Sequence, residues 1–207
     1  MAKVLFIKGT PQSEEQSRSM KVTRTFIDEY KKVNPMDEVI ELDVNSANIP
    51  FIDADYLSAQ NKLRSGESLT DTEAQKLAKF NVLIEQFIGA DKYIIQSSMW
   101  NLGLQPLLKA YFDAVMYAGK TYKYTAEGVA VGLLKGKKAI HIIGMGGLYS
   151  NLSGVEHSDS YVKHLFGFVG VEMLPTIYVE GIDQNPTQKE EIITTASEKA
   201  KAVAQTF

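Results

Sequence analysis

Five short apolar runs punctuate the chain, at residues 3–8, 38–43, 92–96, 138–143 and 173–179. Several are rich in β-branched residues and lack polar alternation, the pattern of strands covered on both faces. Between them, apolar residues recur at helical spacing. Met20, Phe26, Ile27, Tyr30 and Val33 share one face, as do Leu77, Phe80, Ile84, Phe87 and Ile88. The same spacing relates Leu108, Tyr111, Phe112, Val115 and Met116, then Val162, Leu165, Phe166 and Val169, and finally Ile192, Ile193, Ala196, Ala200 and Val203. Start signals agree: Thr70-Asp71-Thr72-Glu73 reads as a capping box, and Asn185-Pro186 as an N-cap followed by proline in the first turn. Strands alternating with helices predict an α/β fold, a doubly wound parallel sheet, and right-handed crossovers favour the strand order 2-1-3-4-5. Two long insertions, 48–69 after strand 2 and 118–136 after strand 3, exceed what such a sheet needs, and loops of that length are usually functional or disordered. With no repeat or linker, residues 1–207 are expected to form a single domain.

Composition narrows the function. The net charge of −3 supplies no basic patch for nucleic acid or an anionic membrane. Cysteine is absent, which removes disulfides, thiolate metal sites and cysteine nucleophiles and fits a cytoplasmic location. No apolar stretch reaches the length of a membrane span. His141 lies in an apolar run and reads as a satisfied core residue, while His157 and His164 have no ligand cluster around them, so no metal is expected. Neither a nucleophile elbow, a Walker loop nor a dinucleotide glycine motif is present.

Parallel sheets bind ligands beyond the carboxyl ends of their strands, which nominates three loops, at 9–19, 97–105 and 144–154. In the first, Ser17 and Ser19 beside a helix start, with Arg18 between them, match a phosphate site, although a plain N-cap explains a lone serine equally well. In the second, Met99, Trp100 and Asn101 follow a buried strand and offer flat apolar surface and an amide; Trp100 fits a packed core position as well. In the third, Gly144, Gly146 and Gly147 permit close backbone approach to a ligand, or a simple turn.

Taken in order, these loops resemble the FMN-dependent NADH-azoreductase / NADH:quinone oxidoreductase family, whose fold is flavodoxin-like. The matching strings are Lys3-Val4-Leu5-Phe6-Ile7-Lys8, Ser17-Arg18-Ser19, Met99-Trp100-Asn101-Leu102 and Leu108-Lys109-Ala110-Tyr111-Phe112-Asp113. Others are Ala118-Gly119-Lys120-Thr121-Tyr122-Lys123-Tyr124-Thr125, Gly136-Lys137-Lys138-Ala139, Gly146-Gly147, Phe168-Val169-Gly170 and Glu180-Gly181-Ile182, so the resemblance runs end to end. It implies a homodimer holding FMN and using NADH or NADPH to reduce small aromatic acceptors, quinones or azo compounds. Thr10, Ser17, Arg18 and Ser19 would surround the phosphate, Met99 to Leu102 the ribityl chain and ring edge, and Gly144 to Gly147 the pyrimidine end. Tyr124 and Phe168 would wall the substrate space across the dimer.

Two departures stand out. Gly144-Met145 replaces a pair of polar residues usual in the family, and Gly9-Thr10 replaces a more typical Ser or His arrangement. The first predicts that Met145 spreads adaptable apolar surface over the ring and favours neutral, flat acceptors. No catalytic side chain is required, since the flavin carries the chemistry. Two other readings share the fold, a non-catalytic flavodoxin-type electron carrier and a flavin-free binding or regulatory module.

Overall fold

The computed structural model describes residues 1–152 and 154–207; Ser153, in the third nominated loop, lies outside the described residues. The elements run β1 (Lys3–Lys8), α1 (Arg18–Val33), β2 (Glu38–Asp43), α2 (Ala54–Ser65), α3 (Asp71–Gly89), β3 (Lys92–Ser98), α4 (Pro106–Val115), β4 (Tyr122–Tyr124), β5 (Ala130–Gly132), β6 (Lys138–Met145), α5 (Ser158–Phe168), β7 (Glu172–Met173), β8 (Ile177–Glu180) and α6 (Lys189–Ala204). The main sheet has the order β2-β1-β3-β6-β7, with β8 also on β6, and every pairing is parallel. This is the order expected from right-handed crossovers, with the switch point between β1 and β3.

Each face of the sheet carries its own core. On one side α1 and α6 bury Met20, Phe26, Ile27, Ala196, Ala200 and Phe207 against Val4, Phe6 and Ile94. On the other, Phe80, Phe87, Tyr111, Phe112 and Phe166 pack on Leu5, Ile7, Tyr93 and Ile95. Three of these rings, Phe87, Tyr93 and Phe112, meet Phe166 edge-on with centroids 5.5 to 5.8 Å from it, the geometry favoured by the aromatic quadrupole.

Several details depart from the pattern-based expectation. The fifth apolar run is not one strand: it breaks at Leu174-Pro175-Thr176 into β7 and β8, because Pro175 has no N–H to give the ladder. The 48–69 insertion is ordered and contains α2, started by Asp53, whose carboxylate accepts from Tyr56 N at 3.0 Å, and ended by Gly66 at φ 74°. The 118–136 insertion holds the antiparallel β4–β5 hairpin. Asn185 makes no side-chain cap, and Pro186–Gln188 forms a 3-10 turn before α6. The apolar breadth of α4 predicts a helix covered by both core and partner, yet Leu108, Tyr111, Phe112 and Val115 are all fully buried within the single chain. Its own core accounts for them.

The capping box at Thr70 is present and does more than start α3. Thr70 N donates to Glu73 Oε2 at 2.8 Å and Glu73 N to Thr70 Oγ1 at 3.3 Å. The same carboxylate accepts from Lys62 Nζ and Ser58 Oγ of α2, both at 2.8 Å, so it ties the inserted helix to the main body. Lys62, then the Thr70 N–H and Ser58, lower the Glu73 carboxyl from 4.5 to about 2. A lowered carboxyl pKa stabilises the fold above the unfolded value and loses that contribution as pH falls through the folded one. Stability should therefore decline between about pH 4.5 and 2 partly through Glu73, and Glu73→Gln should flatten that limb in acid titrations of the unfolding midpoint. An unaltered limb would remove Glu73 from the acid response.

Candidate functional site

The carboxyl ends of β1, β3 and β6 meet at one edge of the sheet, with Ser98 paired to Gly144. There the N-terminus of α1 faces a polar cleft of about 290 Å³ whose lining includes Gln12, Gln16, Ser17, Arg18, Ser19 and Ser98. Met99, Gly144, Met145, Gly146 and Asp183 complete it. Through Met99, Gly146 and Asp183 it joins a wider cavity of about 610 Å³ walled by Asn101, Leu102, Gly147, Tyr149 and Gln184.

The hydroxyls of the inner cleft are oriented. Ser17 is the N-cap of α1, its Oγ accepting from Met20 N at 3.3 Å. Ser19 Oγ accepts from Gln96 Nε2 at 2.9 Å, and the two serine oxygens lie 3.3 Å apart. Each oxygen accepts one N–H and one hydroxyl donates to the other, so one proton of the pair is left to offer, at a helix end that already favours anions. Gln96, a fully buried amide of β3, organises this corner. Its Oε1 accepts from Thr10 N at 3.1 Å and its backbone carbonyl from Gly9 N at 2.9 Å.

Of the residues expected at a phosphate, Ser17, Arg18 and Ser19 line the cleft, but Thr10 does not. Thr10 is buried and its Oγ1 accepts from Gln12 N at 3.3 Å, so it shapes the loop. Gln12, Gln16 and Ser98 line the cleft in its place; they sit inside nominated loops, but nothing in their type marked them. Asp183, Gln184 and Tyr149 also line the cavities without having been expected there. The first two follow β8, and the strand-end rule applied to all five strands would have nominated them.

The second loop folds into a tight turn in which Trp100 and Gly103 exchange both backbone hydrogen bonds, at 2.8 and 2.9 Å. Its central residues Asn101 and Leu102 are left-handed, at φ 48° and 68°. Two positive angles define a type I′ turn, where Asn-Gly is usual. Leu102 thus carries strain and presents an apolar side chain to the outer cavity. Leu102→Gly should raise stability by about 1 kcal/mol, read from the denaturant midpoint; a fall would mean that its contacts outweigh the strain. Trp100 is 46% exposed, so it is not the core residue its position allowed, and it lines neither cavity of the single chain.

At the third loop the glycines serve the protein's own packing. A Cβ on Gly144 would come within 3.0 Å of Ser19 Oγ, so β6 closes directly on the serine pair. A Cβ on Gly146 would collide with the Asp183 carboxylate. Asp183 N donates to Gly146 O at 2.9 Å and Gly181 N to Gly147 O at 3.2 Å, leaving the glycine N–H groups as the donors available to a ligand. Met145 corrects an expectation. β6 runs two residues past its predicted end, and Met145 is only 3% exposed, bordering the inner cleft but absent from the outer cavity. Tyr124 and Phe168 are brought together through Tyr122, whose ring lies 4.7 Å from Phe168 and 5.8 Å from Tyr124. At 61% and 39% exposure they line neither cavity of their own chain.

His141 is satisfied in the core: Nε2 lies 2.8 Å from Ser97 Oγ and Nδ1 2.9 Å from Asp159 Oδ1. The connectivity is that of a Ser-His-Asp triad, but Ser97 and His141 are fully buried, so no substrate reaches the hydroxyl. Burial opposes ionisation of Asp159, yet hydrogen bonds from His141, Lys163 and Thr176 hold its carboxyl well below the usual range.

A doubly wound sheet with an oriented hydroxyl pair at the first helix, opening on a wider cavity between the β3 and β6 loops, defines a flavodoxin-type mononucleotide-binding protein. The chain belongs to the flavodoxin-like family that includes FMN-dependent NADH:quinone oxidoreductases and azoreductases: the model of a flavodoxin-like fold matches residues 2–204. It is 45% identical to "FMN-dependent NADH:quinone oxidoreductase 2" of Listeria innocua and 44% to "FMN-dependent NADH:quinone oxidoreductase" of Staphylococcus haemolyticus, covering 100% of both chains in each case. Among solved structures, an azoreductase from Bacillus anthracis superposes with TM-score 0.93 at 38% identity, over 100% of each chain. An FMN-dependent NADH-azoreductase from Bacillus anthracis in complex with FMN gives 0.91 at 31%, over 99% of this chain and 98% of that one.

Proposed function

We propose that this chain is an FMN-dependent NADH:quinone oxidoreductase that also accepts aromatic azo compounds, acting as a single domain over residues 1–207. The carrying observation is the continuity of the two cavities, a dianion-sized corner with a linked hydroxyl pair at a helix N-terminus joined to a broader space beside Asn101, Leu102, Gly146 and Gly147. Both volumes are of the size ligand sites have. The fit is chemical as well: Ser17, Ser19 and the α1 N-terminus suit a phosphate, Asn101 can pair with a heterocycle edge, and Leu102 and Met99 offer apolar contact. Bound FMN would supply the redox chemistry, taking hydride from a nicotinamide and returning two electrons to the acceptor. The protein's share is to hold the phosphate, fix the ring against the turn at Asn101–Leu102, and present the Gly146 and Gly147 N–H groups where negative charge grows.

The reading includes a homodimer in the cytoplasm, with NADH or NADPH as donor. Two exposed features support assembly. One is the Tyr124 and Phe168 patch, which has no role in its own chain's cavities. The other is an apolar groove formed by Tyr56, Leu57, Leu63, Met116 and Tyr117, in which Leu57 is about half exposed. Among the described residues no helix is long and apolar enough to cross a membrane. The test is direct. Protein reconstituted with FMN should be yellow, bleach anaerobically with NADH and regain colour on adding a quinone. Failure to retain FMN sinks the reading, and bleaching by dithionite but not by NADH or NADPH reduces it to an electron carrier.

A further inference from the structure

Arg18 is the one cation lining the inner cleft among the described residues, and it is already paired: Nη1 lies 2.7 Å from Asp183 Oδ1. Asp183 is the one anion there and also borders the outer cavity, so it stands where the two meet. The carboxylate is seated by construction. Its backbone N–H holds Gly146 O, and its Oδ2 fills the space that the missing side chain of Gly146 leaves. The cleft's formal side-chain charge is therefore zero before any dianion arrives, leaving attraction to the helix end and the serine hydroxyls.

We propose that Asp183 competes with the cofactor phosphate for Arg18 and thereby sets how tightly this chain holds FMN. The inference rests on the flavin reading above. Both side chains are partly exposed, 37% for Arg18 and 62% for Asp183, and a solvated ion pair is held weakly. The guanidinium can therefore turn from carboxylate to phosphate at small cost, while the displaced carboxylate stays close enough to repel the dianion. A phosphate-bearing ligand feels both effects, and a phosphate-free one feels neither.

The experiment is a fluorescence titration of the apoprotein with FMN and with riboflavin, at low salt and near 1 M salt. It compares the native chain with Asp183→Asn, Asp183→Ala and Arg18→Ala. Both Asp183 variants are expected to bind FMN about tenfold more tightly at low salt, equivalent to about 1.4 kcal/mol. Riboflavin affinity should not change, the FMN gain should shrink in high salt where the Debye length is about 3 Å, and Arg18→Ala should weaken FMN alone. FMN affinity that is unchanged or lower in both Asp183 variants overturns the inference, as does an equal gain for riboflavin, which would put Asp183 on the ring. If neither the native chain nor any variant binds FMN, the flavin reading fails and takes this inference with it; FMN binding indifferent to Asp183 defeats the inference alone.

Discussion

Replacing Asp159 by Ala is expected to destabilise the fold by about 3–5 kcal/mol, the range for breaking a buried charge network by removing one partner. The carboxylate accepts from Thr176 Oγ1 at 2.6 Å, Tyr178 OH at 2.5 Å and His141 Nδ1 at 2.9 Å, and faces Lys163 Nζ at 2.7 Å. It thereby joins α5 to β6 and β8, three elements with no covalent reason to meet. Removing it leaves the buried His141 ring half-satisfied and Tyr178 and Thr176 without their acceptor, and each stranded group costs about 1–3 kcal/mol. The melting temperature should drop by about 10 °C, at roughly 2–4 °C per kcal/mol for a chain this long. Because the folded carboxyl titrates well below its usual 3.8, its contribution is complete above that pH and disappears only in stronger acid, so the difference between native and variant should be constant across neutral pH. A destabilisation below about 1 kcal/mol, measured by urea titration, would mean that the network relaxes around the gap.

The second large effect concerns the phosphate corner. Ser17→Ala or Ser19→Ala should weaken FMN binding by about tenfold to a hundredfold, since a hydrogen bond to a charged group contributes about 1.5–3 kcal/mol. Riboflavin should bind almost as before. The two variants should differ in stability. Ser17→Ala removes the cap of α1, whereas Ser19→Ala strands the fully buried Gln96 Nε2 and so should unfold earlier in denaturant. Equal losses for FMN and riboflavin would take these serines out of phosphate contact.

Much of the architecture was legible in the chain because it is written locally. Residues 3–8 and 38–43 are strands to the residue, since a short apolar run with β-branched residues, bounded by polar ones, has few alternatives. The capping box at Thr70 declared itself through short-range backbone chemistry. The inserted helix α2 was harder: its apolar stripe is weak, and its hold comes from Glu73 in another helix. The β4–β5 hairpin is three residues per strand, too short for any period to register.

The candidate site divides along the same line. Ser17, Arg18, Ser19, Met99, Asn101, Leu102 and the glycines could be nominated from the chain because the end of a parallel strand is a fixed place for ligands, whatever the rest of the fold does. Which of them face the cleft was decided by tertiary structure. Thr10 turned inward to brace its loop and Trp100 turned outward, while Met145 was drawn into β6, where the pleat buried it beside Gly144. Asp183 met Arg18, and Asp159 met His141, across elements far apart in the chain. Local sequence sets the period and the caps of each element. The phase with which one element lies against another, and hence which charge meets which, depends on the packing of the whole chain.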